Sequence, residues 1–355
     1  MTEEDILKAL KNVINPDSQK DIVSLNMVSE IKIHDKNIAI TIMVPMTAAP
    51  YKAEINEQCE NVIKELAKDQ TVNVNVTFTS KVNTKRSLHE TVLPKVKNII
   101  AVVSGKGGVG KSTVAANLAI ALSKDGVKVG LMDADIYGPS APIMFGLRGD
   151  RPKMADIEGK GKIVPIEKFG IKVMSIGFLV DERQAVVWRG PMVSSAVRQF
   201  VTDVYWDELD YLVIDMPPGT GDIHLTLMQL VPVTGVIIVT TPQDVALADA
   251  KKGIAMFGQA QLDAPIIGLV ENMAYFTPAE LPENKYYIFG KEGGKRLASE
   301  YDLNFLGQIP LVQSIREGGD KGVPVMLSED AVSRKAFEAF ADEVAKQVQR
   351  RNEML

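Results

Sequence analysis

Ser104-Gly105-Lys106-Gly107-Gly108-Val109-Gly110-Lys111-Ser112-Thr113 follows directly on the apolar run Ile99-Ile100-Ala101-Val102-Val103 and leads into Val114-Ala115-Ala116-Asn117-Leu118-Ala119-Ile120-Ala121-Leu122. Gly105, Gly110, Lys111 and Ser112 fit the spacing G-x-x-x-x-G-K-[ST], with a buried-strand pattern before it and a helical one after it. A glycine-rich turn without a ligand needs neither flank, so the stretch reads as a phosphate-binding loop. The chemistry requires these residue types. A triphosphate must be approached closely by backbone, which a Cβ at Gly105, Gly107, Gly108 or Gly110 would obstruct. The loop amides and the positive end of the following helix then face the anion, Lys111 reaches the outer phosphates, and the Ser112 hydroxyl is placed to ligate Mg²⁺. Residues 105–113, including Lys106, Val109 and Thr113, are the expected nucleotide contacts.

At 355 residues the chain exceeds the size at which one core keeps growing, so two domains are expected. Thr2 with Asp5 marks a helix start, followed by Ile6, Leu7, Leu10, Val13 and Ile14 at helical spacing. Ile31 and Ile33, then Ile38, Ile40 and Ile42, alternate as strands about Asp35-Lys36-Asn37. Ile55, Val62, Ile63 and Leu66 form a helical stripe before the alternating Val72, Val74, Val76 and Phe78. This predicts a small α+β domain over residues 1–80 in the order α-β-β-α-β. Residues 81–97, basic and interrupted by Pro94, read as a linker. From 98 to 355 apolar strands and helices alternate, which predicts an α/β domain with a mostly parallel sheet covered on both faces.

Net charge is −5 and the pI about 5.5, so no global attraction to nucleic acid or anionic membrane is expected. Cys59 is the single cysteine, which excludes an intrachain disulfide. The N-terminal residues lack the basic and apolar regions of a signal peptide, and no run is long enough to span a bilayer, so a cytoplasmic protein is expected.

Ligands of such sheets sit at the carboxyl ends of the strands. Two strand ends there are acidic: Val127 to Met132 leads into Asp133-Ala134-Asp135, and Leu209 to Ile214 leads into Asp215-Met216-Pro217-Pro218-Gly219. Asp215 suits a Walker-B carboxylate in the Mg²⁺ shell. Asp133 and Asp135 lie two apart, so only one faces the nucleotide if the strand continues through both, and spacing leaves open which.

Lys106 within Gly105-Lys106-Gly107-Gly108-Val109-Gly110-Lys111-Ser112 resembles the deviant Walker A of MinD and ParA proteins. Asp133 to Ser140, Val187 to Met192, Asp215 to Asp222 and Glu271-Asn272-Met273 resemble the Mrp (ApbC) branch of that class, and residues 1–80 are similar to the SufT-like or PaaD-like domain often fused in front of it. The resemblance implies a slow, Mg²⁺-dependent ATPase that dimerises through its nucleotide sites. Lys106 would act across the dimer on the partner's phosphates, Asp135 would orient the attacking water, and Asp133 would neighbour the metal shell. Asp215 would hold Mg²⁺ with Ser112, and Asn272 would read adenine. Gly219 and Gly221 would give switch II its freedom. Arg189 receives no role.

The family's usual task is carriage or assembly of iron-sulfur clusters for apoprotein clients, with a C-x-x-C soon after the Glu-Asn-Met motif. Here Ala274 to Gly290 contains no cysteine. A cluster needs about four ligands, usually thiolates, and a homodimer offers only two copies of Cys59. Cys59 reads as a helix packing residue, and His34, His89 and His224 have no ligand-like spacing to it. A cluster held wholly by protein ligands is therefore not expected, while one completed by small thiols stays open. His224 reads as a polar residue of the loop beside switch II.

The alternative implied by the resemblance is a SalA-like, nucleotide-dependent transcriptional regulator binding DNA, with Lys81, Lys85, Arg86, Lys95 and Lys97 as a local basic surface. Val332, Ala336, Phe337, Phe340, Val344 and Val348 form a C-terminal stripe of the kind MinD relatives use on membranes. Its mixed opposite face predicts core packing and no stable membrane association.

Overall fold

The computed structural model describes residues 2–16, 18–34, 37–44, 51–67, 72–80, 92–180, 190–258, 264–278, 280–281 and 283–354. The chain divides into two units, Met1–Val82 with Asp125–Val127, and Asn83–Lys124 with Lys128–Leu355.

In the first unit, helix α1 (Glu3–Leu10) opens with a capping box: the Thr2 hydroxyl accepts from the Asp5 amide at 3.2 Å while the Asp5 carboxylate accepts from the Thr2 amide at 2.9 Å. Strand β1 (Val28–His34) pairs antiparallel with β2 (Asn37–Val44), and helix α2 (Lys52–Ala67) crosses over to β3 (Asn73–Ser80), parallel to β2. The order is the α-β-β-α-β read from the sequence. One face of β2, Ile38, Ile40 and Ile42, is buried with Ile6, Leu10, Ile55, Cys59 and Ile63, as a period of two against a period of 3.6 requires.

The second unit begins with β4 (Val96–Val103), the loop, and α3 (Lys111–Leu122). It continues through β5 (Val129–Asp133), α4 (Ala141–Met144), β6 (Lys153–Ile157), β7 (Lys160–Val164), β8 (Ile166–Lys168), β9 (Ile171–Ser175) and α5 (Gly190–Asp203). Then follow β10 (Leu209–Asp215), α6 (Asp222–Leu230), β11 (Gly235–Thr240), α7 (Asp244–Phe257) and β12 (Ile266–Glu271). The chain closes with α8 (Gly293–Glu300), β13 (Phe305–Gln308), α9 (Gln313–Lys321) and α10 (Ala331–Met354). Eight strands form one sheet in the order β13-β12-β11-β4-β10-β5-β9-β8, parallel except for β8 against β9, and β6 with β7 makes a separate hairpin.

The order reverses at β4, which lies between β11 and β10, so the loop leaving β4 opens at the topological switch point of the sheet. Helix α3 is apolar all round because it is enclosed all round, by β10, β5 and β4 and by α10.

Two details differ from the sequence pattern. Strand β4 starts at Val96, paired with Leu209, so the linker ends two residues earlier than its composition suggested, and Lys97 belongs to the strand with its ammonium 2.7 Å from Asp210. Lys95 stands 3.4 Å from the Tyr205 hydroxyl, while Lys81, Lys85 and Arg86 lie outside the described residues. On α10 the buried stripe is Phe337, Phe340, Val344 and Val348, but Val332 is exposed. Ser333 is buried in its place, its hydroxyl donating to Asp330 at 2.7 Å, because the first turn is organised by polar capping. Among the described residues no helix is long and apolar enough to cross a membrane.

Candidate functional site

Strand β4 delivers Ser104 buried at the base of the loop, where its hydroxyl donates to the Lys106 carbonyl at 2.9 Å. Gly105 is pressed on the backbone of α7: a Cβ there would overlap the Asp249 carbonyl and crowd the Ala250 nitrogen. Gly110, at φ +80°, starts α3, and a Cβ would collide with the Asn272 amide. Around Gly107 and Gly108, by contrast, the space is open. Lys106 is half-buried.

Lys111 is 5% exposed, an unusual burial for an ammonium group, and it is charge-compensated. It ion-pairs with Asp215, lies 3.3 Å from the Ser112 hydroxyl and 3.8 Å from the Asp135 carboxylate. The strand ends that carry these groups are stitched together, the Ala134 amide donating to the Asp215 carbonyl at 2.9 Å and the Gly219 amide to the Ser104 carbonyl at 2.9 Å.

Strand β5 ends at Asp133, so the two aspartates diverge. Asp135 turns toward Lys111 and accepts from the Gly138 amide at 3.3 Å. Asp133 is fully buried, with both oxygens already bonded: to the Ala141 amide at 3.0 Å, the Ser175 hydroxyl at 2.9 Å and the Asp135 amide at 3.2 Å. Through these bonds it braces α4, β9 and the Asp135 turn. Burial, aided by the Asp215 charge, pushes its carboxyl up to about 7. Burial also raises Asp215, and the Lys111 ammonium works against that rise.

Asn272, at the end of β12, is 5% exposed and donates to the Val109 carbonyl at 2.8 Å. Its neighbour Glu271 is a second functional residue of this strand end, signalled only by a carboxylate closing an apolar strand. It is fully buried, accepting from the Gly294 amide at the start of α8 and from the Gln308 side chain at 2.7 Å. Ser175 gave no signal, because its role rests on the pairing of β9 with β5.

His224 is not a loop residue as expected. It sits in the first turn of α6, buried, with Nε2 2.8 Å from the Pro217 carbonyl and Nδ1 without a partner. Burial lowers its pKa, which keeps the imidazole neutral.

After Met273 the chain folds back on itself. Phe276 and Tyr286 exchange two 2.8 Å backbone hydrogen bonds, Lys285 lies 4.1 Å over the Tyr275 ring, and Tyr286, Tyr287 and Ile288 are exposed. Cys59 is fully buried in the first unit, and burial pushes its thiol up to about 12. Among the described residues no group of three or more His, Cys, Asp or Glu side chains could hold a metal ion. Arg189 lies outside the described residues.

A buried lysine between the carboxylate that ends β10 and one two residues past the end of β5, under a glycine loop at the switch point, is the arrangement of a P-loop nucleotide site. The family model described as NUBPL iron-transfer P-loop NTPase, of the ParA group, matches residues 95–345. The chain belongs to this family. A second model, described as iron-sulfur cluster assembly protein, matches residues 3–76. An iron-sulfur cluster carrier protein of Synechocystis is 45% identical over 350 residues, 98% of each chain. The protein of that name in Escherichia coli K12 is 41% identical over 98% of this chain and 92% of its own.

Among solved structures, a nucleotide-binding protein of Archaeoglobus fulgidus in complex with ADP is 41% identical, with a TM-score of 0.56 over 65% of this chain and 88% of that one. The cell division ATPase MinD of Pyrococcus furiosus is 26% identical, with a TM-score of 0.51 over 70% and 98%. The Mrp-type resemblance and the fold class therefore hold, with the small α+β domain included.

Proposed function

We propose that the chain binds ATP with Mg²⁺ at residues 105–113, hydrolyses it slowly as a homodimer, and uses that cycle to handle iron-sulfur clusters destined for apoprotein clients. The observation that carries the reading is Lys111, a buried ammonium held between Asp215, Ser112 and Asp135.

The donor set fits the ligands. Open space at Gly107 and Gly108 admits phosphate oxygens to the backbone, and a hydroxyl beside a carboxylate, Ser112 with Asp215, is a hard-oxygen set suited to Mg²⁺. Mg²⁺, when bound, neutralises charge on the outer phosphates and orients them. Lys111 exchanges its carboxylate partner for phosphate. Asp135, beside Lys111, takes the role of orienting the attacking water. Half-buried Lys106 supplies, across a dimer, a cation to the partner's developing charge, as an arginine finger does. The family resemblance assigns Asn272 to adenine, while here its amide donates to the Val109 carbonyl, and Asp133 supports Asp135 from behind.

The cluster is cargo rather than a resident group. With the one cysteine buried as a neutral thiol, its ligands come from the client or from small thiols. Of the basic residues considered for DNA, Lys97 is paired with Asp210 and Lys95 stands beside Tyr205, while Lys81, Lys85 and Arg86 lie outside the described residues.

The test is anaerobic transfer of a chemically assembled [4Fe–4S] cluster to an apo-enzyme, with and without Mg·ATP, alongside hydrolysis rates for the parent and for Lys106→Ala. Faster transfer with Mg·ATP and hydrolysis dependent on Lys106 support the reading. Transfer indifferent to nucleotide, or unchanged hydrolysis in the variant, sinks it.

A further inference from the structure

The side chain of Asn272 is committed to the phosphate loop itself. Its amide donates to the Val109 carbonyl at 2.8 Å, and its nitrogen occupies the space that a Cβ on Gly110 would need. Both ends of this contact are buried, Val109 at 3% exposure and Asn272 at 5%, so water does not replace the bond if it is lost. In a planar trans peptide the carbonyl and the amide N–H point in opposite directions. Fixing the Val109 carbonyl toward Asn272 therefore fixes the Gly110 N–H pointing away from it. Gly110 holds φ +80° at the same place, a conformation in which that peptide otherwise has no side chain to steady it.

From these contacts we infer that Asn272 is a positioning residue for triphosphate binding: it sets the orientation of the Val109–Gly110 peptide, so that phosphate affinity depends on it whatever base is attached. This rests on the proposal that residues 105–113 bind phosphate, and it differs from adenine reading in one respect that can be measured. A base reader matters only to ligands that carry a base.

The probe is Mg²⁺-tripolyphosphate, which has none, compared with Mg·ATP on the full-length protein by calorimetry. Asn272→Ala and Asn272→Ser both remove the amide donor, and both are measured below their melting temperatures. The loss of one buried hydrogen bond predicts about a tenfold weaker Kd for tripolyphosphate and a similar factor for ATP. Asn272→Asp, of the same shape but turning a carboxylate on the Val109 carbonyl, is expected to lose at least as much.

Loss confined to ATP, with tripolyphosphate unchanged in the folded variants, overturns the inference and leaves base reading. Unchanged binding of both probes overturns it too. Parent protein that binds neither probe removes the phosphate site itself, and with it the proposed function. Affinity lost equally for both probes in the serine and alanine variants supports it, since a purely structural residue leaves the affinity of the folded fraction alone.

Discussion

The Lys111 ammonium and the Asp215 carboxylate are each less than a tenth exposed and are ion-paired across the ends of α3 and β10. Two buried opposite charges stabilise each other far more than either is tolerated alone. Lys111→Met is expected to abolish hydrolysis and to cost roughly 3–5 kcal/mol, because Asp215 is left buried without a counter-charge. With the lysine gone, burial and the Asp135 charge both raise Asp215 against the Ser112 hydrogen bond, and its folded-state pKa stays raised. A raised carboxyl pKa favours the folded state at low pH and loses that contribution as pH rises above the unfolded value. The variant should therefore be nearer to parental stability at pH 5 than at pH 8 by urea denaturation. Lys111→Met with Asp215→Asn should recover stability and no activity.

Gly107 separates folding from binding. Nothing lies within 4 Å of the position a Cβ would take there, whereas at Gly105 it would meet the backbone of α7. Gly107→Ala should leave the melting temperature within about a degree of the parent, as surface changes do, while weakening ATP affinity at least tenfold through lost approach of the phosphates. Gly105→Ala should lower the melting temperature markedly. Equal ATP affinity in Gly107→Ala and the parent would show that phosphate does not use this space.

Lys106 is half-buried and lies outside the ion-pair cluster at Lys111. Lys106→Ala is expected to keep ATP binding within a few-fold while hydrolysis drops by about 10³, the lower range for a cation acting in trans. Mixed with a hydrolysis-dead Lys111→Met chain, it should regain hydrolysis at the one composite site per heterodimer that joins its intact Lys111 to the partner's Lys106, while the site carrying both defects stays dead.

Cys59 gives a prediction about pH. Its thiol is raised from about 9.0 to about 12 by burial, so above pH 9 the unfolded chain releases a proton that the folded chain retains. The unfolded state then binds fewer protons, and stability falls by up to about 1.4 kcal/mol per pH unit from roughly 9 to 12. Cys59→Ala should lack that slope, and denaturation midpoints at pH 8 and pH 10.5 compare the two. The native thiol should resist iodoacetamide at pH 8, and cluster reconstitution by the parent and by Cys59→Ala should be indistinguishable.

The periodicities at Ile38 to Ile42 and at Ile55 to Ile63, the Thr2 cap, and the strand, loop and helix around Lys111 were all legible in the sequence. Each is a local pattern whose partner is the core or the adjacent turn. The divergent fates of Asp133 and Asp135 were not legible, because they depend on where β5 ends and on Ser175, 42 residues away in sequence. The burial of His224 likewise depends on the Pro217 carbonyl turning toward α6, and that of Glu271 on the start of α8 and on Gln308. Composition does not show that Lys97 belongs to a strand, because the strand it pairs with and Asp210 lie over a hundred residues on. Long-range pairing, rather than weak local signal, accounts for each of these.

The loop from Ser104 to Gly110 is gripped from two sides, with Gly105 lying flush on the backbone of α7 and Val109 tied to Asn272. Its amides are thus preorganised, their ordering entropy lost when the protein folds rather than when a nucleotide arrives. A loop held in this way acts as an anvil. On the proposed function, a bound triphosphate would move the segments 134–140 after β5 and 216–221 after β10 while the cradle stays still.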